Sequence, residues 1–434
     1  MRDMERMKVV LIGHMSSPQI RERLQLKSNF WGNCFRKLLG KPEMKYTDFA
    51  LWNTNTIEGF EKVKEVELHV IAPHHGMQNW TCEYEQNGIH YHFYRPEPLY
   101  LWGVLEKIFN KKQYTEYPRT RKIVKGFVNK IKPDIVNLVG AENPYYSICG
   151  LDVENIPLFI TCQTVYSNPN RQQLSGKVSK YRWDLEQALF KKASAFCCTN
   201  TMYRDLIKSY IPDAIVFPLT WPETPFPKLE PCEKKYDFAF FSMSVSKKKG
   251  IDSAIDALAI VKKHKPNVTL LVVGHADETI SEELQHTIKG YGLENNVIFH
   301  DFFPSQIDMF NYVQQARFAL LPVKMDFLSG TILQAMEMGM PVVTHITSGT
   351  PSLNAERETV LLSEIGDVKT MAEQMLRLMD DSELAQKLAD NGFLFTQQRH
   401  AKSANAIQQR IDQYKAIIDN YRDKKSVPAE MLFF

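Results

Sequence analysis

Residues 326–343 read DFLSGTILQAMEMGMPVV. A carboxylate, Asp326, stands just ahead of Leu328, Ser329, Gly330 and Thr331, at the mouth of a short helical pattern. Ile332, Leu333, Ala335 and Met336 supply the apolar positions, and Gly339 and Pro341 end the run before an apolar strand. A helix N-terminus leaves backbone N–H groups unpaired at the positive end of the dipole, and Gly330 lets a ligand approach the main chain. That chemistry suits an anion or a group rich in hydroxyls. The competing reading is an ordinary helix capped by Ser329 or Thr331.

A second cluster, SVSKKKGID at 244–252, sets three lysines ahead of Gly250 and another helix start. Lys248 and Lys249 in such a loop can hold a phosphate, each charge-assisted hydrogen bond being worth about 1.5–3 kcal/mol; a solvated lysine run is the alternative.

The elements that must position these clusters alternate. Strand-like runs at 9–13, 67–73, 135–140, 158–162 and 194–199 are separated by helical stretches such as 122–131 and 181–193. Five prolines, from Pro218 to Pro231, then fall within fourteen residues and resist both helix and sheet. Alternation resumes with strands at 236–242, 268–274, 296–302, 318–323 and 341–346. Near-continuous apolar strands with helices between them imply parallel sheets covered on both faces. The fold class is α/β, with two doubly wound Rossmann-like domains facing across a cleft. The expected boundaries are 1–217 for the first domain, 218–235 for a Pro-rich linker, 236–400 for the second domain, and 401–434 for a helix packing back across the domains. Ala404, Ile407, Ile411, Tyr414, Ile418 and Tyr421 give that last helix one apolar face.

At 434 residues, two domains are the default. Hydrophobic content of 44%, charged content of 24% and a net charge of +3 describe a globular protein with no global pull towards nucleic acid. No run approaches the roughly 20 apolar residues of a membrane span. The opening residues are expected to continue as a strand rather than to form a signal peptide. Seven cysteines without a CxxC pair read as reduced thiols of a cytosolic protein.

The second half resembles the retaining glycosyltransferases of the GT-B fold, family 4 ("glycosyltransferase group 1"). The stretches that carry the resemblance are FFSMSVSKKKGID, LLVVGHADE, NVIFHDFFPSQ and DFLSGTILQAMEMGMPVVTHITSGTP. PDIVNLVG, PLFITCQT and FKKASAFCCTNTMYRDLI match more loosely in the first half. The resemblance implies that Lys249 holds the diphosphate of a nucleotide sugar, with Ser244 at a position where the family has arginine and Lys247 or Lys248 as substitutes. It puts Asp326 and Gln334 where the family has two glutamates, for the donor sugar and the ribose hydroxyls, and Gln163 where many members have histidine. Gly13 and His14 fall where the family's first loop approaches the phosphates, and the amides of Leu328–Thr331 would meet the sugar or phosphate. His275 and Asp301 sit in cleft-facing loops of the second half, where they could touch the nucleotide or be ordinary polar loop residues. Asp326, Lys249 and Gln163 are the expected catalytic set.

The implied reaction transfers a sugar with retention to a saccharide or lipid-linked acceptor, with no cofactor and no required metal. Surface polysaccharide or glycolipid synthesis at the cytoplasmic face of a membrane is the expected setting. Two alternatives stay open: a catalytically inactive sugar-nucleotide-binding partner subunit, and a GT-B epimerase or phosphorylase. Residues 106–132 carry nine lysines and arginines against Glu106 and Glu116, interleaved with aromatics. They suit an anionic membrane surface or a solvated helix face. His74, His75, His90 and His92 lack an acidic or cysteine partner at metal-ligand spacing in sequence and read as ordinary strand and loop residues. Glu337 reads as a surface residue.

Overall fold

The structure, a computed structural model, describes residues 6–27, 49–97, 116–168, 179–223, 226–303, 305–325, 328–347 and 349–433. Asp326 and residues 106–115 lie outside the described residues. The chain divides into two compact units, Met1–Thr224 with Lys402–Phe434 and Pro225–Ala401.

Unit 1 is built on eight strands: β1 Met7–Ile12, β2 Val66–Pro73, β3 Thr81–Gln86, β4 Ile89–Tyr94, β5 Ile135–Val139, β6 Leu158–Cys162, β7 Ala195–Cys198 and β8 Val216–Pro218. Their order is β3-β4-β2-β1-β5-β6-β7-β8, and every pair is parallel except the β3–β4 hairpin. Helices of eight residues or more are α1 Leu51–Phe60, α2 Pro118–Ile131, α3 Lys180–Lys192 and α4 Thr201–Tyr210. Unit 2 carries β9 Tyr236–Ser244, α5 Ile251–Lys262, β10 Leu270–His275, α6 Glu278–Gly290, β11 Val297–His300, α7 Gln306–Val313, β12 Ala316–Leu320, α8 Gly330–Glu337, β13 Val342–His345, β14 Val360–Ser363, α9 Val368–Asp380 and α10 Ser382–Ser403. Its sheet is wholly parallel, ordered β11-β10-β9-β12-β13-β14. The last long helix, α11 Ala406–Asp423, belongs to unit 1.

Each sheet is buried on both faces, which is why its strands read as apolar runs. In unit 1, Val10, Ile12, Leu138 and Ile160 face one core layer, while Val9, Leu11, Val70 and Phe159 face the other. In unit 2 the layers form around Phe238, Phe240 and Val272 on one side and Ala239, Phe241 and Val273 on the other. Burying one such side chain removes it from water for about 1.5–3 kcal/mol. The apolar face of α11 enters the core of unit 1 through Ile411, Tyr414 and Ile417. Its Arg410 donates to Thr161 Oγ1 at 2.8 Å, and Tyr414 Oη donates to Asn137 Oδ1 at 3.0 Å. These bonds satisfy a polar layer inside the sheet, so the helix is part of that domain's core rather than an appendage.

Strand order reverses between β1 and β5 in unit 1 and between β9 and β12 in unit 2. Ligands of doubly wound sheets bind outside the carboxyl ends of the strands at such switch points. The hairpin β3–β4, the short β8 and β14 extend the sheets beyond the runs read from sequence. Asn87–Gly88, both at positive φ, is the turn signal that could have located the hairpin.

Candidate functional site

At the switch point of unit 2, β9 ends at Ser244 and passes into Val245–Lys249. Gly250 has φ +84°, and a Cβ there would stand 1.8 Å from the carbonyl oxygen of Pro322, just beyond β12. Only glycine lets the lysine loop lie against the end of β12. The Lys324 amide donates to the Lys248 carbonyl at 3.1 Å, tying the two loops together. Lys324 Nζ reaches both oxygens of Asp252, in the first turn of α5, at 2.7 and 2.8 Å. Sequence reading missed this pair, because 72 residues separate its members.

The lysines do not act as one cluster. Lys247 Nζ is 2.6 Å from Glu283 of α6, so its ammonium is paired with that helix. Lys248 and Lys249 remain with Gly250 at the start of α5.

At the mouth of α8 the sequence offers two caps, Ser329 and Thr331. Ser329 occupies the N-cap position and is buried, yet its side chain makes no capping hydrogen bond. Its Oγ instead lies 3.0 Å from Thr331 Oγ1. Among the described residues no side chain caps the first-turn amides. Gly330 has open space where a Cβ would project, so a ligand can reach the main chain. Leu328 leads into this turn, and Gln334 sits half-buried one turn further along α8. Glu337 is not a surface residue: its carboxylate is 12% exposed and meets His400 of α10 at 2.5 Å.

His275 and Ser244 are neighbours in the β9–β10 register. His275 Nδ1 lies 3.4 Å from Asp301 Oδ1, and both side chains are largely exposed. The Phe302 amide donates to Asp301 and holds its carboxyl below the usual range. Beside them His300 stacks on Phe303 at 4.1 Å between centroids. Further along the same edge, at the end of β13, His345 is fully buried. Its Nδ1 faces Ser363, its Nε2 has no hydrogen-bond partner among the described residues, and burial lowers its pKa.

The remaining candidates belong to unit 1. Gly13 and His14 follow β1, and Gln163 follows β6. His14 Nδ1 lies 2.6 Å from Tyr145 Oη across the β1–β5 switch point, while Phe49 and Tyr146 pack edge-on to the imidazole. Burial pushes His14 down to about 4, so it is neutral at pH 7. Gln163 Nε2 is buried with no hydrogen-bond partner among the described residues. The loop after β6 is anchored by buried Glu186, which accepts from the amides of Tyr166 and Ser167 at 2.6 and 2.9 Å. Arg182 closes the other side, donating to the Glu142 carbonyl at 2.6 Å.

On α2, the described part of the basic stretch, most charge is already paired. Arg121 binds Asp152 in a fork at 2.7 and 2.8 Å, and Lys125 meets Glu154. Lys130 meets Glu83, and Arg119 lies over the Trp80 ring. Among the described residues no helix is long and apolar enough to cross a membrane.

Comparison with known proteins agrees with this geometry. Residues 225–395 match the family described as "Glycosyl transferases group 1". The alpha-D-kanosaminyltransferase of Streptomyces kanamyceticus is 26% identical over 165 residues, 37% of this chain and 41% of that protein. The amylovoran biosynthesis glycosyltransferase AmsK of Erwinia amylovora is 29% identical over 140 residues, 31% of this chain and 34% of that protein. The match thus spans less than half the length of these curated relatives. The structure of Anabaena HepE in complex with UDP and glucose is similar in fold, with a TM-score of 0.62 and 17% identity over 94% of this chain and 99% of that one. The chain has the GT-B fold, and its second unit is similar to the glycosyl transferases group 1 family.

Proposed function

We propose that this chain is a retaining glycosyltransferase of family 4 type. It would transfer a sugar from a nucleotide-diphosphate sugar to a saccharide or lipid-linked acceptor in surface polysaccharide or glycolipid synthesis. The observation that carries the reading is the mouth of α8: a helix N-terminus without a side-chain cap among the described residues, opened by Gly330, on the sheet edge that also carries Lys248 and Lys249. Both features favour negative charge, and the diphosphate is the anionic part of such a donor. The names of the relatives and the UDP held by HepE support the same class of donor.

In this reading Lys249 and the amides of Leu328–Thr331 stabilise the charge that develops on the leaving diphosphate. Asp326 and Gln334 address the donor's hydroxyls. Gln163 orients the acceptor and has no basic function, so the leaving phosphate takes the acceptor's proton. The chemistry as proposed needs no divalent metal. The setting is the cytoplasmic face of a membrane, reached peripherally.

The test is calorimetry of the full chain against UDP-, GDP-, ADP- and CMP-sugars, with Lys249→Ala and Asp326→Ala alongside. One donor is expected to bind the wild type and to bind each variant about tenfold or more weakly, one such bond being worth about 1.5–3 kcal/mol. A transfer assay with that donor follows. Absence of any binding overturns the reading. Binding without transfer to any acceptor favours the sugar-nucleotide-binding partner subunit instead, which is the role that Ser244 and Gln163, in place of arginine and histidine, would suit.

A further inference from the structure

At the amino ends of β2 and β4, opposite the end of the sheet that carries His14, strand pairing gathers residues that sequence spacing kept apart. The register sets His69 beside His90, His92 beside Ile71, Glu83 opposite His92, and Lys8 beside Glu67. Alternation then puts Glu67, His69, His90 and His92 on one face. They form a chain: Glu67 Oε1 lies 3.0 Å from His69 Nε2, His69 Nδ1 lies 3.1 Å from His92 Nε2, and His92 Nδ1 lies 2.8 Å from Glu83 Oε2.

Three contacts of this kind need three hydrogens. Two neutral imidazoles supply two, and ionised flanking carboxylates supply none. If His92 donates to Glu83 and His69 donates to His92, then His69 Nε2 and Glu67 Oε1 face each other as two acceptors. A cation between them would satisfy both. A third proton on one imidazole would serve, and so would a metal ion.

We propose that Glu67, His69 and His90 hold a divalent transition-metal ion of zinc-like chemistry on this edge of unit 1. Their ligand atoms all lie within 4.8 Å of one another. Two atoms 3.0 Å apart subtend about 94° at a zinc ion about 2.05 Å from each, within a modest adjustment of a tetrahedral site. Two imidazoles and one carboxylate suit zinc and not calcium or magnesium, which take oxygen. His90 stacks on His69 at 4.6 Å and is one-third exposed, at 33%, so it has room to turn towards the ion and leave a fourth position to water. His92 and Glu83 then form the hydrogen-bonded support that orients a metal-bound imidazole. Lys130 at 3.0 Å steadies Glu83, Glu85 stands 3.6 Å from His90, and Lys8 and Arg6 stand 3.9 and 3.7 Å from Glu67. The ion would pin β2 to β4 and takes no part in sugar transfer.

The test is a calorimetric titration of zinc into the chelator-treated full chain, with cobalt(II) absorption reporting the coordination number. One ion per chain is expected, with the intense visible bands of a four-coordinate cobalt site. Glu67→Gln and His90→Ala should each weaken binding at least about tenfold, and His92→Gln about 10–100-fold, the usual effect of losing a supporting partner. His286→Ala, on α6 of unit 2, should leave it unchanged. Circular dichroism checks that each variant folds. No uptake by the wild type overturns the proposal and leaves the third proton as the bridge. Uptake that survives both His90→Ala and Glu67→Gln overturns it equally.

Discussion

The switch points of the two sheets share a topology and differ in chemistry. In unit 2 the edge is charged and open: His275 and Asp301 are exposed at 63% and 79%, and Gly330 faces free space. In unit 1 the corresponding edge is closed around a neutral imidazole, with His14 wedged among Tyr145, Tyr146 and Phe49. An open edge with lysines and helix amides suits a polyanion that carries its own charge. A desolvated edge of aromatic rings and hydroxyls suits a neutral polyol, whose faces pack on rings and whose hydroxyls exchange hydrogen bonds. One scaffold thus carries two chemically different sheet edges through loop content alone.

The sharpest way to break this comparison is through two glycines of unit 2. Gly250→Ala meets the Pro322 carbonyl and requires φ +84° of a residue with a side chain. It should lower the denaturation midpoint of unit 2 by the equivalent of about 3 kcal/mol, read from urea unfolding. Gly330→Ala meets nothing and should change stability by under about 1 kcal/mol while weakening nucleotide-sugar binding. Equal stability losses at both positions would show that the open mouth of α8 is not open.

A smaller effect is expected from pH. His14 binds a proton near 6.5 when unfolded and near 4 when folded, so between these values the unfolded chain holds more protons. Stability should therefore fall as pH drops from about 6.5 to 4 and be unaffected by this group above that window. His74, lowered to about 4 by burial, adds to the same slope. In thermal scans across pH, His14→Phe should flatten part of it; an unchanged slope would mean that His14 is not desolvated.

The smallest effect is assigned to Lys247→Ala. Its ammonium is bound to Glu283 on the surface, so the change should leave stability nearly unchanged and donor affinity within about twofold. A donor loss as large as that of Lys249→Ala would return Lys247 to the phosphate site.

The sequence by itself determined the alternation of apolar strands and helices, the two-sheet α/β class and the existence of a helix mouth and a lysine loop. Each depends on local periodicity or on residues within a few positions of one another. The β3–β4 hairpin was legible too, in Asn87–Gly88, but its polar alternation is weaker than a buried parallel run. Tertiary structure decided which groups meet. The Lys324–Asp252 pair, the diversion of Lys247 to Glu283 and the seating of Glu337 against His400 all join residues from different elements. The same holds for Glu67, His69, His90 and His92: in sequence they are two separate strand segments, and parallel pairing in register makes them one cluster. A strand's period states which face a side chain takes, but only the neighbouring strand's register states what stands beside it.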